Sequence, residues 1–159
     1  AIPADLAPVF PVKRVAIGSD HTGLALKAAI VAHLRQQGVA VNDLGTMDKD
    51  PVDYPDIAGA VATSVTRGES DAGIVIDGAG LGSTIAANKV RGARAAMCLN
   101  VTLARYAREH NGANVLALGS TLIETADGLA IVDTFLSTPT REARYLRRLI
   151  KVRRMEERF

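Results

Sequence analysis

One stretch of this chain, residues 74–89, constrains the fold more than any other. The β-branched run at residues 74–76 predicts a short buried strand, and the residues from Ser83 onward predict a helix. Three glycines alternate through the turn between them: Gly78, Gly80 and Gly82. Such a turn gathers free backbone N–H groups at the positive end of the helix dipole. The stretch therefore predicts an anion-binding turn.

Asp77 follows the predicted strand directly and precedes the first glycine. A carboxylate beside an anion-binding turn indicates proton transfer on a phosphorylated substrate or on one that forms an oxyanion. The alternative interpretation is a tight turn between strand and helix in which Asp77 only caps the helix. The residues of this stretch alone leave both interpretations open.

Segments typical of strands and of helices alternate along the whole chain. The alternation predicts a Rossmann-like, doubly wound α/β fold, with a five-stranded parallel sheet covered by helices on both faces. We expect an N-terminal arm at residues 1–12, the α/β domain at residues 13–138 and a basic C-terminal helix within residues 139–159. The predicted strands cover residues 13–19, 39–44, 74–76, 93–99 and 114–118, and the other predicted helices cover residues 24–37, 57–67, 101–110, 125–136 and 141–157.

Composition excludes several classes of protein. The 159 residues suffice for one domain, and a single cysteine, Cys98, excludes an internal disulfide framework and predicts a reducing, cytoplasmic location. No apolar run is long enough to span a membrane. The net charge of +2 is uneven, because residues 141–158 hold eight arginines and lysines against three glutamates. These arginines have helical spacing, so they predict contact with an anionic ligand or an acidic partner surface rather than with nucleic acid.

Polar groups follow the predicted elements at three places: Asp20 and His21 after the first strand, Asp77 after the third, and His110 and Asn111 after a helix. We expect all three at the carboxyl edge of the sheet, where such folds bind ligands. Each also has a structural interpretation, because Asp20 can cap a helix N-terminus and His110 a helix C-terminus.

No cofactor or metal is predicted. Residues 78–83 approximate the dinucleotide fingerprint, but Ser83 replaces its last glycine, the turn follows the third strand, and no acidic residue ends the next strand. The three histidines are scattered and Cys98 is alone, which does not fit a metal site.

Five sequence blocks lie at the predicted turns and helix ends. They are Ser19-Asp20-His21-Thr22-Gly23, Asp53-Tyr54-Pro55, Gly78-x-Gly80-x-Gly82 with Ile85-Ala86-Ala87-Asn88-Lys89, Arg94-Ala95-Ala96 and Glu109-His110-Asn111. In register from about residue 14 to about residue 148, the chain is similar to the ribose-5-phosphate isomerase B family. That family also includes the subunits of galactose-6-phosphate isomerase.

The resemblance implies an aldose–ketose isomerase of sugar phosphates that works without metal or cofactor, as a homodimer or tetramer whose subunits share active sites. It implies sugar binding and ring opening by Asp20, His21, Tyr54 and His110, with Asn111 also touching substrate. The implied anion hole for the enediolate comprises Gly78, Ala79, Gly80, Leu81, Gly82 and Ser83. Arg144 and Arg148, one helical turn apart, would reach across from the partner subunit and bind the phosphate of the substrate. The C-terminal helix would pack on that partner.

The chain departs from the family pattern at three positions. Many members have a cysteine where Asp77 stands, and others use a glutamate at the position of Ser83. Thr121 stands where a further phosphate-binding arginine is usual. We expect Asp77 to be the base that moves the proton, as a carboxylate can. The alternative is a catalytically silent subunit that binds sugar phosphate beside a partner or acts as a sensor.

Overall fold

The computed structural model describes residue 3 and residues 5–159 of the chain. The strands are β1 (Arg14–Ser19), β2 (Ala40–Asp43), β3 (Ala72–Asp77), β4 (Ala95–Met97) and β5 (Val115–Gly119). The α-helices are α1 (Leu24–Gln36), α2 (Tyr54–Thr66), α3 (Leu81–Asn88), α4 (Val101–Glu109), α5 (Thr125–Ser137) and α6 (Ala143–Arg158). A single 3₁₀ turn at His21–Gly23 links β1 to α1.

The five strands form one parallel sheet in the order β2-β1-β3-β5-β4. The order runs outward from β1 on one side and from β3 on the other. A crevice therefore opens between the carboxyl ends of these two strands, which is where ligands bind in open parallel sheets. The predicted doubly wound α/β fold is confirmed.

Helices cover both faces of the sheet. On one face, side chains of α1, α4 and α5 pack on the sheet in a core that includes Ile30, Leu34, Ala104 and Phe135. On the other face, α2 and α3 pack through small residues such as Ala58, Ala62 and Ala87. Both faces of the central strand β3 are thus covered, and every residue of this strand is buried.

The observed boundaries differ from the predicted ones where tertiary packing decides. β3 begins at Ala72, two residues before the β-branched run, because small residues suffice on a strand packed closely against α2. A Cβ atom on Gly73 would lie 2.7 Å from Val61 Cγ1. α2 begins at Tyr54 rather than at residue 57, since Pro55 is tolerated in the first turn of a helix. β4 has three residues, so Cys98 lies just beyond it.

Described segments near both ends of the chain pack on the domain. Residues 1, 2 and 4 of the predicted arm lie outside the described residues, but Leu6 and Ala7 are buried, so this part of the arm packs on the domain. α6 contacts its own chain through the buried side chains of Tyr145 and Leu149. Arg153 forms an ion pair of 2.9 Å with Asp5. Within the described residues, no helix has the length and apolar character needed to cross a membrane.

Candidate active site

Asp20 and Asp77 lie at the carboxyl ends of neighbouring strands. Ser19 of β1 is in register with Ile76 of β3, and the two aspartates follow this pair. The backbone N–H of Asp20 donates to the Ile76 carbonyl at 3.0 Å. The Asp20 carboxylate accepts from the N–H of Thr22 at 2.9 Å and from its hydroxyl at 2.5 Å. Asp20 therefore caps the 3₁₀ turn, and both aspartates border the crevice between β1 and β3.

The Asp77 carboxylate is turned into the glycine turn and is only 6 % exposed. Oδ1 accepts a hydrogen bond from the backbone N–H of Gly80. Oδ2 accepts from the backbone N–H of Ser83 at 2.9 Å and from its hydroxyl at 2.8 Å. The carboxylate therefore holds the first turn of α3 from within, so the capping role that the sequence left open is present.

This arrangement changes the expected anion hole. The N–H groups of Gly80 and Ser83, which we expected to stabilise a substrate oxyanion, already donate to Asp77. Leu81 and Gly82 are the first two residues of α3, and N–H groups at these positions have no carbonyl one turn earlier in the helix. They are the donors best placed to receive an external anion. The turn thus combines a carboxylate, held by hydrogen bonds, with a helix N-terminus.

The turn is closely packed. Gly80 has φ +77°, and a Cβ atom there would lie 2.8 Å from Met97 Cγ and 3.1 Å from the Leu118 carbonyl carbon. Thr121 ties the neighbouring loop to the turn, since its N–H and its hydroxyl donate to the Gly78 carbonyl at 3.0 and 2.6 Å. The backbone around Ala79 also approaches Gly119 so closely that a Cβ atom there would lie 2.8 Å from the Ala79 carbonyl.

Tyr54 and His21 lie at the same edge of the sheet. The Tyr54 ring packs on Gly82, where a Cβ atom would lie 2.5 Å from Tyr54 Cζ. His21 Nδ1 accepts from the Val52 N–H at 3.4 Å, in the loop that precedes α2. Lys27 anchors the same long loop, because its buried ammonium group contacts Asp43 at 2.8 Å and the Thr46 carbonyl at 2.5 Å. Nothing in the sequence pattern distinguishes Lys27 from the other lysines.

The expectation that His110 and Asn111 lie at the carboxyl edge of the sheet was wrong. A helix between two parallel strands runs from the carboxyl edge of the sheet back to its amino edge, so the end of α4 lies near the start of β5. Asn114 confirms this, because its N–H donates to the Arg94 carbonyl just before β4. β5 has five residues, and that length is roughly 16 Å of strand. His110 and Asp77 of one chain therefore lie at opposite edges of the sheet.

Arg144 lies with His110 rather than with Asp77. The His110 ring is stacked on the Tyr106 ring, with the centroids 4.6 Å apart. The Tyr145 ring packs against His110 at the same centroid distance. Arg144 lies over the Tyr145 ring, 4.7 Å from its centroid, and donates to its hydroxyl at 2.7 Å. The electrostatic interactions and hydrogen bonds of Arg144 with Tyr145 and Glu142 raise the pKa of this exposed guanidinium above its ordinary value. Arg148, one turn further along α6, is exposed.

Arg108 is a second residue that sequence analysis missed, and it is fully buried. Its Nε donates to the Thr138 carbonyl at 3.1 Å and its Nη1 to the Ala113 carbonyl at 2.9 Å. Burial lowers the pKa of this guanidinium to about 10. Arg108 thus joins the end of α4 to the segment that leads into α6. In the sequence it is one arginine among many, with no signal that it is buried.

Two sets of residues therefore emerge from one chain. The carboxyl edge of the sheet carries Asp20, His21, Tyr54, Asp77 and the glycine turn. The amino edge carries His110, Asn111 and, on α6, Arg144 and Arg148. In the part of the chain that the structure describes, no three His, Cys, Asp or Glu side chains are grouped as metal ligands would be.

Comparison with known proteins identifies the class to which this fold and these residues belong. Residues 15–152 match the family described as Ribose/Galactose Isomerase. The chain belongs to this family. Its solved and curated relatives include ribose-5-phosphate isomerases B, which interconvert an aldose phosphate and a ketose phosphate.

Particular relatives are similar over nearly their whole length. Ribose-5-phosphate isomerase B of Escherichia coli is 42% identical over 146 residues, which cover 92% of this chain and 98% of the relative. The solved structure of the Clostridium thermocellum enzyme has a TM-score of 0.89 and 47% identity, with 91% of this chain and 98% of that chain covered. The Mycoplasma genitalium enzyme, solved with bound ribulose-5-phosphate, has a TM-score of 0.88 and 41% identity, with coverage of 92% and 97%.

Proposed function

We propose that this chain is an aldose–ketose isomerase of a phosphorylated sugar and that ribose 5-phosphate and ribulose 5-phosphate are its first candidate pair. The observation that carries the proposal is the position of the Asp77 carboxylate at the N-terminus of α3, where it accepts hydrogen bonds from Gly80 and Ser83. A base and a set of N–H donors in one turn match the needs of a reaction that passes through an enediolate. The family supports the same assignment.

In the proposed reaction, Asp77 takes the proton from carbon C2 of the open-chain aldose and returns it to C1. The hydroxyl proton on the C2 oxygen moves to the C1 oxygen, so atoms and charge balance. Between the two steps the substrate is a cis-enediolate, whose negative charge the N–H groups of Leu81 and Gly82 stabilise. An oxyanion contact of this kind is worth about 3–4 kcal/mol.

We also propose that a second copy of the chain completes each site. His110, Asn111, Arg144 and Arg148 have the chemistry to open a sugar ring and to bind phosphate, but they lie at the edge of the sheet opposite Asp77. A copy that presents its amino edge to the carboxyl edge of its neighbour would bring the two sets together. Exposed apolar residues beside the turn, Leu81, Ile85 and Leu122, favour such a contact.

A second candidate function is a catalytically silent subunit that binds sugar phosphate. The observation that favours it is the use of both Asp77 oxygens in hydrogen bonds to the turn. If those bonds persist when substrate binds, the carboxylate is only a helix cap.

Turnover of ribose 5-phosphate by the purified chain and two variants separates the two functions. Asp77→Asn should lower kcat at least about 100-fold, because general base catalysis contributes factors of this size. Asp77→Cys should retain part of the activity, since a thiolate also moves protons. Asp127→Asn, which neutralises an exposed carboxylate at the start of α5, is the matched control and should leave kcat unchanged.

Two results would contradict the proposed function. Binding of ribose 5-phosphate without its interconversion by the wild-type chain would favour the silent subunit, once allose 6-phosphate and tetrose phosphates had given the same result. Near-normal turnover by Asp77→Asn would show that Asp77 is not the base.

A further inference from the structure

Four side chains form a column at the amino edge of the sheet. The Tyr106 and His110 rings are stacked, with centroids 4.6 Å apart and planes 15° apart. Tyr145 packs on His110 at the same centroid distance with a tilt of 31°. Arg144 completes the column, 4.7 Å above the Tyr145 ring centroid. The column therefore joins two residues of the proposed site, His110 and Arg144, through a tyrosine that has no assigned role.

Tyr145 is the fixed member of the column. Its side chain is buried, at 6 % exposure, whereas the Arg144 side chain is 60% exposed and the His110 side chain 34%. Tyr145 lies in the first turn of α6, and Leu149, one turn later, is also buried against the domain. The helix thus anchors the tyrosine, and the tyrosine contacts two less buried side chains. Arg144 Nε also donates to the exposed Glu142 carboxylate at 3.0 Å.

We propose that Tyr145 is a positioning residue that holds His110 and Arg144 in one arrangement. The inference deepens the proposed function and rests on it. The Tyr145 ring fixes the plane of the His110 imidazole by stacking. The Tyr145 hydroxyl fixes Arg144, because it accepts a hydrogen bond from Arg144 Nη2 at 2.7 Å.

Positioning matters here because Arg144 is exposed and His110 is only half-buried. An arginine side chain loses considerable rotamer freedom when it binds a ligand, and a side chain that is already held loses less. Stacking between aromatic rings prefers specific geometries, so it restrains the orientation of an imidazole as well as its position. A single buried tyrosine thereby reduces the entropy lost when the ring-opening and phosphate-binding groups act together.

The two halves of the proposal are separable by substitution. Tyr145→Phe removes the hydroxyl and keeps the ring, so only Arg144 is released. We expect KM for ribose 5-phosphate to rise about threefold to tenfold, the effect of one hydrogen bond to a charged group at an exposed site. We expect kcat to change less than about twofold, because the stack on His110 remains.

A second substitution shows whether the hydroxyl acts through Arg144. In an Arg144→Ala background, Tyr145→Phe should change KM by less than about 1.5-fold, since the pair no longer exists. Arg147→Ala, which removes an exposed arginine of α6 outside the proposed site, is the matched background and should leave the full effect of Tyr145→Phe. Equal effects of Tyr145→Phe in the Arg144→Ala and Arg147→Ala backgrounds would overturn the proposal.

The stacking of Tyr145 on His110 can be measured by NMR without an activity assay. The chain has three histidines, so a His110→Gln variant identifies the His110 ring protons in an NMR spectrum. In the wild-type chain we expect nuclear Overhauser contacts between these protons and the Tyr145 ring. Tyr145→Phe should keep the ring-current shift of His110 and Tyr145→Leu should reduce it. Absence of the contacts in the wild-type chain would overturn the proposal even if Tyr145→Leu does not fold.

Failure of this inference and failure of the proposed function give different results. If the wild-type chain does not interconvert sugar phosphates but the His110–Tyr145 contacts are present, the proposed function fails and the column stands as structure alone. If the wild-type chain is active but Tyr145→Phe lowers kcat and leaves KM unchanged, the function stands and the positioning role of the hydroxyl fails.

Discussion

At the scale of single residues, Asp77 combines a structural and a proposed chemical role. Its two oxygens accept three hydrogen bonds from the turn that they would serve in catalysis. The sequence placed Asp77 at the end of a strand, beside glycines. It could not say which way the carboxylate turns, because that depends on the backbone course of the next six residues.

Ser83→Ala tests how far these bonds orient the carboxylate. The variant removes the hydroxyl that donates to Asp77 Oδ2 at 2.8 Å and leaves the backbone donors in place. We expect kcat to fall about tenfold, the effect of one hydrogen bond to a charged group. Ser120→Ala is the control: the Ser120 hydroxyl is buried at the end of β5 and has no hydrogen-bond partner among the described residues. An equal loss of kcat in both variants would contradict the assignment.

Cys98 provides a pH-dependent prediction at the same scale. Burial raises the pKa of this thiol from 9.0 to about 11. Between these values the unfolded chain releases the proton and the folded chain keeps it, so stability declines as pH rises through this window. Relative to Cys98→Ala, the wild-type free energy of unfolding should fall by roughly 1–3 kcal/mol between pH 9 and 11. Denaturant unfolding at several pH values measures this difference. Free energies of unfolding that change equally with pH in the wild-type chain and in Cys98→Ala would contradict it.

At the scale of elements, the unit of β3, the glycine turn and α3 was the most predictable part of the chain. The alternating glycines identified the turn because a left-handed backbone conformation, such as that at position 80, favours glycine. Packing beyond the unit was not predictable: the contact of Tyr54 with Gly82 joins residues far apart in sequence. The position of His110 was mispredicted because we grouped helix ends with strand ends, although α4 runs antiparallel to the strands.

Gly80→Ala should disrupt this unit. The alanine would adopt φ near +77° and its Cβ atom would meet Met97 and the backbone of Leu118. We expect the free energy of unfolding to fall by at least about 2 kcal/mol and the turnover to be lost. Gly59→Ala is the matched control, because a Cβ atom there meets no described atom within 4 Å. In the interior of α2 it should stabilise the chain by up to about 1 kcal/mol. Thermal and denaturant unfolding compare the two.

At the scale of the whole molecule, the parallel sheet separates the two halves of the proposed site. The alternation of strands and helices and the parallel sheet were predictable, because period and length distinguish the elements, whereas the order of the strands in the sheet was not predicted. Which residues share an edge follows from chain direction, and the position of α6 depends on its contacts with the domain, such as those of the buried Tyr145 and Leu149. How two copies of the chain would pack together cannot be predicted from the sequence pattern of one copy.

Mixed subunits test whether two copies share each site. Asp77→Asn and His110→Gln homomers should each be inactive, and a mixture allowed to exchange subunits should regain activity. In a twofold dimer, each hybrid has one intact site, so an equal mixture should reach about one quarter of wild-type turnover per subunit. If each site lay within one chain, the mixture would show only the mean of the two inactive parents.

The carboxylate seated in the glycine turn has a consequence for inhibition. A free anion such as sulfate must compete at this turn with a negative group that is covalently tethered and therefore always present at high local concentration. Of the two proposed phosphate-binding arginines of α6, Arg144 pairs with the exposed Glu142, and Arg148 forms no ion pair with a described residue. Simple inorganic anions should therefore occupy the phosphate end of the site and leave the reacting end to the sugar. We therefore expect the chain to discriminate against small oxyanions at the proposed reacting end of the site and to admit them at the proposed phosphate-binding end.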